Sequence, residues 1–349
     1  MGDQRVTTRQ SNMEMLRIIG MSMILIHHFL LKGLTPDNMP CHLYNAINGF
    51  VYVGVPVFFL LSGYFTIRYT FKGLIKLILL VGLYGLTNLF ILHLAGMKVG
   101  MGMIKSAIFY PVTGSPYWFM KVYMFLYITS PLLNAGLRNL ERIRLRNTLI
   151  ILIVASFYGL HSYAVDSYLH GVYLYCVGYY LAKYNPYPLI KSGWWFVAFI
   201  IIMLSSGSLD WALTEYGYAN TYFQSYRNIF VFAGGIMLLL TFRELNFSSK
   251  TVNAIASCSL GCYLLQDGYF GRMLLYPYQK HVLDQHGYSL KLVTIYLIIF
   301  LLIWGCALIL NPILSSICNK LSTYIEKLNS FMSLLFQLHT IRKNLDGNT

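Results

Sequence analysis

The chain has 349 residues, of which 57% are hydrophobic, 16% aromatic and only 11% charged, and its mean hydropathy is +0.57. Soluble domains carry about 25% charged residues, so this composition excludes a soluble globular fold and indicates a protein that crosses a membrane several times. The net charge of +14 does not point to nucleic acid, because no basic patch interleaves with a soluble domain and Lys and Arg collect in the cytoplasmic loops of membrane proteins for topological reasons.

The polar segment 1–13 carries two arginines and precedes an apolar run without an A-x-A cleavage site, so it reads as the flank of an uncleaved first helix. Runs of about 18 to 24 apolar residues suit a hydrocarbon core about 30 Å thick. Such runs fall at 14–32, 47–67, 73–94, 117–134, 147–163, 168–184, 193–209, 226–243, 252–272 and 290–312. The expected fold is therefore an all-α integral membrane bundle of about ten transmembrane helices, occupying 14–312. Residues 100–114 are too short and too broken by glycine to span, and fit an interfacial or re-entrant segment. The tail 313–349 is amphipathic and fits a surface helix on the cytoplasmic side.

Lys and Arg test this arrangement. With the N-terminus inside, seventeen of the 26 fall in inner segments and eight in outer ones. That asymmetry places both termini in the cytoplasm. None of the six cysteines forms a CxxC pair. Cys258 and Cys262, four apart, read as packing on one helical face, and no metal site is expected.

The first helix, "EMLRIIGMSMILIHHFLL", carries charges where a span should have none. Ionisable residues inside a membrane face the bundle interior or a wet cavity and mark function by default. At about 100° per residue, Arg17 and His28 lie roughly 20° apart around the axis and about 16 Å apart along it. Glu14 shares that face, whereas His27 is turned about 80° away. Histidine suits acid–base work near neutral pH, and arginine grips phosphates through its bidentate fork. A base and a phosphate clamp on one stripe, with Glu14 orienting Arg17, suggest group transfer from a phosphorylated donor.

At this point the residues resemble a known family. Arg17 and His28 match the Arg-x10-His pattern in the first helix of the acyltransferase-3 family of integral membrane acyltransferases. "VGVPVFFLLSGYF" resembles its second span, matching at Gly54, Phe58, Phe59, Ser62 and Gly63. "PYWFMKVYMFLYITSPLL" resembles a later span at Trp118, Phe119 and Pro131. "SCSLGCYLLQD" resembles its late "S-x-x-YL-i-H-d" helix, with Asp267 kept and Gln266 standing where the family has histidine; Gln266 can offer a hydrogen bond but no proton. The resemblance covers about residues 12–312.

The resemblance implies an acyl-CoA donor, acetyl-CoA foremost, and as acceptor a hydroxyl of a cell-surface carbohydrate or glycolipid, in a bacterial plasma membrane. His28 is then the general base or a transient carrier of the acyl group. Arg17, Ser62, Arg68 and Lys72 are candidates for holding the donor, since the last two sit on the inner face where CoA phosphates arrive. Tyr117 and Trp118 are candidates for stacking on a sugar, with Gln266 and Asp267 beside the acceptor. The expected partners are acyl-CoA, the acceptor and membrane lipids, with no nucleic acid. A rival reading, a transporter or flippase for a lipid-linked sugar or small anion, would also place charges in the bundle, but the inverted repeats common in transporters are not evident.

Overall fold

The computed structural model describes residues 10–33, 41–113, 117–158, 163–217, 226 and 228–346, and among these every regular element is helical. The polar residues 1–9 and the tail end 347–349 lie outside the described residues. The helices are α1 (Ser11–Gly33), α2 (Cys41–Tyr52), α3 (Gly54–Phe65), α4 (Phe71–Leu94), α5 (Met101–Thr113), α6 (Trp118–Asn139), α7 (Arg142–Tyr158), α8 (Tyr163–Tyr184), α9 (Ser192–Glu215), α10 (Ile229–Arg243), α11 (Lys250–Ser257), α12 (Ser259–Gln266), α13 (Tyr276–His286) and α14 (Leu290–Asp346). The protein is an all-α membrane protein.

The expected number of ten spans is not reached by length and composition. Among the described residues five helical stretches are long and apolar enough to cross a membrane: Ser11–Gly33, Ile47–Phe65 (running through α2 and α3), Phe71–Leu94, Ser192–Glu215 and Leu290–Phe331. The other apolar runs lie on helices that are shorter, as α10, or that carry polar residues inside, such as Lys121 and Asn134 on α6. Residues 101–113 form the short helix α5, which packs on α4 where Gly85 meets Ala107.

Two expected helices are interrupted. The run 47–67 is divided into α2 and α3 at Val53. Pro56 explains the break, because proline cannot donate to the carbonyl four residues back and its ring crowds that turn. The run 252–272 is divided at Cys258 and stops at Gln266, after which the chain bends and re-enters as a π-helical turn, Gly271–Leu275. Cys258 therefore ends one helix rather than sharing an uninterrupted one with Cys262. The tail from 313 is no separate surface helix: it continues α14 without a break, through Pro312.

Without a hydrophobic drive between helices in lipid, close packing at small residues holds them together. The first span crosses α3 at Gly20 and Gly54, where a Cβ on either residue would press into the opposite helix. At the α3–α8 crossing, a Cβ on Gly63 would occupy the space of the Tyr175 carbonyl, and one on Gly178 that of the Leu60 carbonyl. The Ser62-Gly63 pair thus has a packing duty. A polar knot fixes the turn that follows: Tyr175 donates to Asn134 Oδ1 at 2.7 Å and accepts from the Ile67 amide, while Asn134 Nδ2 donates to the Ile67 carbonyl at 2.9 Å.

Candidate active site

The N-terminal end of α1 is pinned before any functional group appears. Asn12 Nδ2 donates to the Phe242 carbonyl at the end of α10, and Ser11 Oγ donates to Asn253 Oδ1 of α11 at 3.0 Å. These contacts fix the rotation of α1 about its axis, and with it the direction of every side chain above.

One turn later Arg17 pairs with Glu14, Nη1 to Oε2, at 2.7 Å. Glu14 is buried and the Arg17 side chain is 29% exposed. Tyr123 of α6 lies near Arg17 and beside Ser62, so Glu14, Arg17 and Ser62 gather at one end of the bundle. Ser62 Oγ itself donates back to the Phe58 carbonyl at 2.7 Å. Arg68 is exposed, and Lys72 lies on the rim, 3.6 Å from Glu326 of α14. Arg243, which the sequence reading counted only for topology, lies at this same end. Its side chain is 8% exposed, and its Nε donates to Glu244 at 2.8 Å.

At the other end of α1, His27 and His28 are both buried, with ring centroids 5.8 Å apart. They belong to different neighbourhoods, as their angular separation on the helix requires. His27 Nδ1 lies 2.9 Å from Asn48 Oδ1 and its ring packs at 4.4 Å on Tyr52. His28 Nδ1 lies 3.1 Å from Gln266 Oε1.

The tautomer of His28 follows from the next bond outward. Gln266 Nε2 donates to the Leu25 carbonyl at 2.9 Å. Reversing the amide would set two oxygens against each other, so Oε1 must face His28. An amide oxygen only accepts, so His28 Nδ1 carries the proton and donates. The lone pair is then on Nε2, which is the arrangement a general base needs. Gln266 spends both ends of its amide within the protein and acts on His28.

The broken helix is what puts Gln266 there. Because α12 stops, the Leu264 carbonyl lacks the amide of a following turn. It accepts instead from Tyr117 Oη at 2.7 Å and from Asn88 Nδ2 at 3.0 Å, while Asn88 Oδ1 receives the Phe270 amide. Gly268 allows the approach, since a Cβ there would collide with Tyr117 and Asn88. Tyr117 is buried with its hydroxyl tied to backbone, while Trp118 is half-buried and faces Tyr226 at 5.3 Å.

Beside Gln266, the buried Asp267 carboxylate meets two cations. Lys32 of α1 forms an ion pair with it, and Arg272 places Nη2 3.2 Å from the same oxygen, Oδ1. Arg272 Nε also donates to the Asp267 backbone carbonyl. The residues that the sequence reading left out of this site are Lys32, Asn48, Asn88, Tyr263 and Arg272. The only signal they offered was polarity within or beside an apolar run, which does not reveal partners that for Lys32 and Asn88 lie 235 and 176 residues away. Among the described residues no group of His, Cys, Asp and Glu could hold a metal ion.

A buried imidazole with a fixed tautomer, tethered to a broken helix, stands about 16 Å along α1 from a half-exposed arginine. No curated protein and no solved structure matches the chain. Residues 10–311 match a family model described as an acyltransferase domain. That match takes in α1, the α2–α3 and α11–α12 interruptions and both polar ends, and on its extent the chain belongs to the acyltransferase-3 family of membrane acyltransferases.

Proposed function

We propose that the protein moves an acyl group, acetyl foremost, from acyl-CoA to a hydroxyl of a cell-surface carbohydrate or glycolipid. The observation that carries this reading is the His28–Gln266–Leu25 chain of hydrogen bonds. It leaves His28 Nε2 as a proton acceptor in a buried setting. Nε2 takes the proton of the acceptor hydroxyl as its oxygen bonds to the acyl carbon. The carbon–sulfur bond then breaks, and the departing thiolate recovers the proton.

Arg17, oriented by Glu14, grips a phosphate of the donor, with Ser62, Arg68 and Lys72 along the same approach. The separation from Arg17 to His28 is one that an extended pantetheine arm can bridge. Lys32, Asp267 and Trp118 lie toward the acceptor end. The excess of Lys and Arg in inner segments supports a donor arriving from the cytoplasm of a bacterial plasma membrane, with both termini on that side.

The test is to incubate purified protein with acetyl-labelled CoA and carbohydrate extracted from bacterial envelopes. Alkali-labile label should appear in the carbohydrate and free CoA should accumulate in step. Protein that never consumes acetyl-CoA with any such extract would instead favour transport. Label held on acid-quenched protein would make His28 a carrier and not only a base.

A further inference from the structure

We propose that Tyr263 is a further catalytic residue: its phenol donates a hydrogen bond to the acyl carbonyl oxygen as that oxygen takes on negative charge. This rests on the acyl-transfer reading above and adds to it the group that meets the developing oxyanion.

Tyr263 is buried, and among the described residues its hydroxyl has no hydrogen-bond partner. Burying a hydroxyl without a partner costs stability; Tyr84, Tyr173 and Tyr276 share that state, and among the described residues Tyr263 is the one of the four with a ring contact to His28. The setting makes the omission specific. Polar groups near it are engaged elsewhere: Gln266 at both ends of its amide, Tyr117 and Asn88 on the Leu264 carbonyl. Tyr263 precedes Gln266 by three residues on α12, so both side chains share the face turned to α1.

Its ring centroid lies 6.1 Å from that of His28, and 5.7 Å and 5.8 Å from those of Tyr117 and Phe119. Phenylalanine would fill the same aromatic packing without an unsatisfied hydroxyl. The hydroxyl therefore adds nothing to the resting fold and is available to an incoming group. With Nδ1 of His28 committed to Gln266, the reacting atoms gather at Nε2 of the same imidazole whose ring neighbours Tyr263.

The step balances without any further reagent. The acceptor oxygen bonds to the acyl carbon and its proton passes to His28 Nε2. The carbonyl electron pair moves onto the oxygen held by Tyr263. Collapse of that oxyanion breaks the carbon–sulfur bond, and the thiolate takes the proton from His28. Tyr263 keeps its own proton throughout, and serves as a preorganised donor aimed at charge that appears only in the transition state.

The experiment compares wild type with Tyr263→Phe in detergent, reading free CoA released from acetyl-CoA with envelope carbohydrate as acceptor, alongside thermal unfolding. Removing one oxyanion donor should lower kcat by about a hundredfold or more. KM for acetyl-CoA should stay near the wild-type value, because the contact forms in the transition state. The unfolding midpoint should equal or exceed that of wild type, because a buried orphan hydroxyl has been removed. Lost activity with a lowered midpoint would make Tyr263 a structural residue and overturn the proposal. So would equal kcat in the two proteins, which would leave the acyl-transfer reading standing. A wild type that releases no CoA would overturn that reading and this one together.

Discussion

The two ends of α1 solve different problems. At the His28 end the polar groups are buried and joined by contacts that cross the whole sequence: His28 to Gln266, Lys32 to Asp267, Tyr117 to Leu264. At the Arg17 end the ion pairs are mostly local, Arg17 with Glu14 and Arg243 with the adjacent Glu244, and the Arg17 side chain is partly exposed. A proton acceptor must have one tautomer and one direction, which long-range packing enforces. On the proposed reading Arg17 captures a mobile anion, which needs reach, and a short tether to a neighbouring carboxylate leaves it that freedom.

The largest expected effect tests the rigid end. His28→Ala should lower acyl transfer by about 10² to 10⁴ in rate, the worth of general base catalysis. His27→Ala should keep a measurable fraction, because His27 bonds to Asn48 and faces Tyr52. Equal loss in both variants at equal protein levels would erase the distinction drawn between the neighbouring rings.

Lys32→Met comes next. It leaves the buried Asp267 with Arg272 as its remaining cation, and should destabilise by about 1–3 kcal/mol, the cost of under-satisfying a buried polar group. The reading is a lower unfolding midpoint in detergent, and an unchanged midpoint would mean that the long-range pair does not hold this end together.

Arg17→Lys addresses the reachable end. Lysine keeps the charge but loses the bidentate fork, so acetyl-CoA affinity should fall about tenfold, or about 1.4 kcal/mol, while folding is preserved. Unchanged binding at matched salt would reduce Arg17 to an interfacial anchor. The smallest effect is expected at the rim. Lys72→Ala breaks a pair whose side chains are 41% and 46% exposed, and should change stability by no more than about 1 kcal/mol. A larger loss would show that α14 is fastened to α4 through this pair.

Much of the fold was legible because lipid imposes long apolar runs, and the shared face of Glu14, Arg17 and His28 followed from helical geometry alone. The break at Val53 could have been read from Pro56, which removes a backbone donor. The break after Gln266 has a signal in the Asp267-Gly268 pair, a common turn dipeptide, but the sequence does not show that Asn88 and Tyr117, on α4 and at the start of α6, take up the freed Leu264 carbonyl. The partners of His27 and His28 were hidden for the same reason: periodicity within a helix specifies which way a side chain points and says nothing of what stands opposite. Gln266 departs from the family pattern in the sequence itself, yet its hold on the Leu25 carbonyl, which fixes the imidazole tautomer, arises only in the fold.

The unbroken α14 has a consequence for the bilayer itself. At 1.5 Å per residue its 57 residues measure about 85 Å, while a hydrocarbon core about 30 Å thick accommodates some 20. Tilt alone absorbs little of that mismatch, so well over half of the rod must stand outside the acyl chains. Its portion near Glu326 lies level with Lys72 at the start of α4, so the overhang begins at the end of the bundle where Arg17 lies. Brominated lipids should quench a fluorophore at Leu301 and spare one at Ser330, and the crossover between such positions would mark the depth of the membrane against the protein.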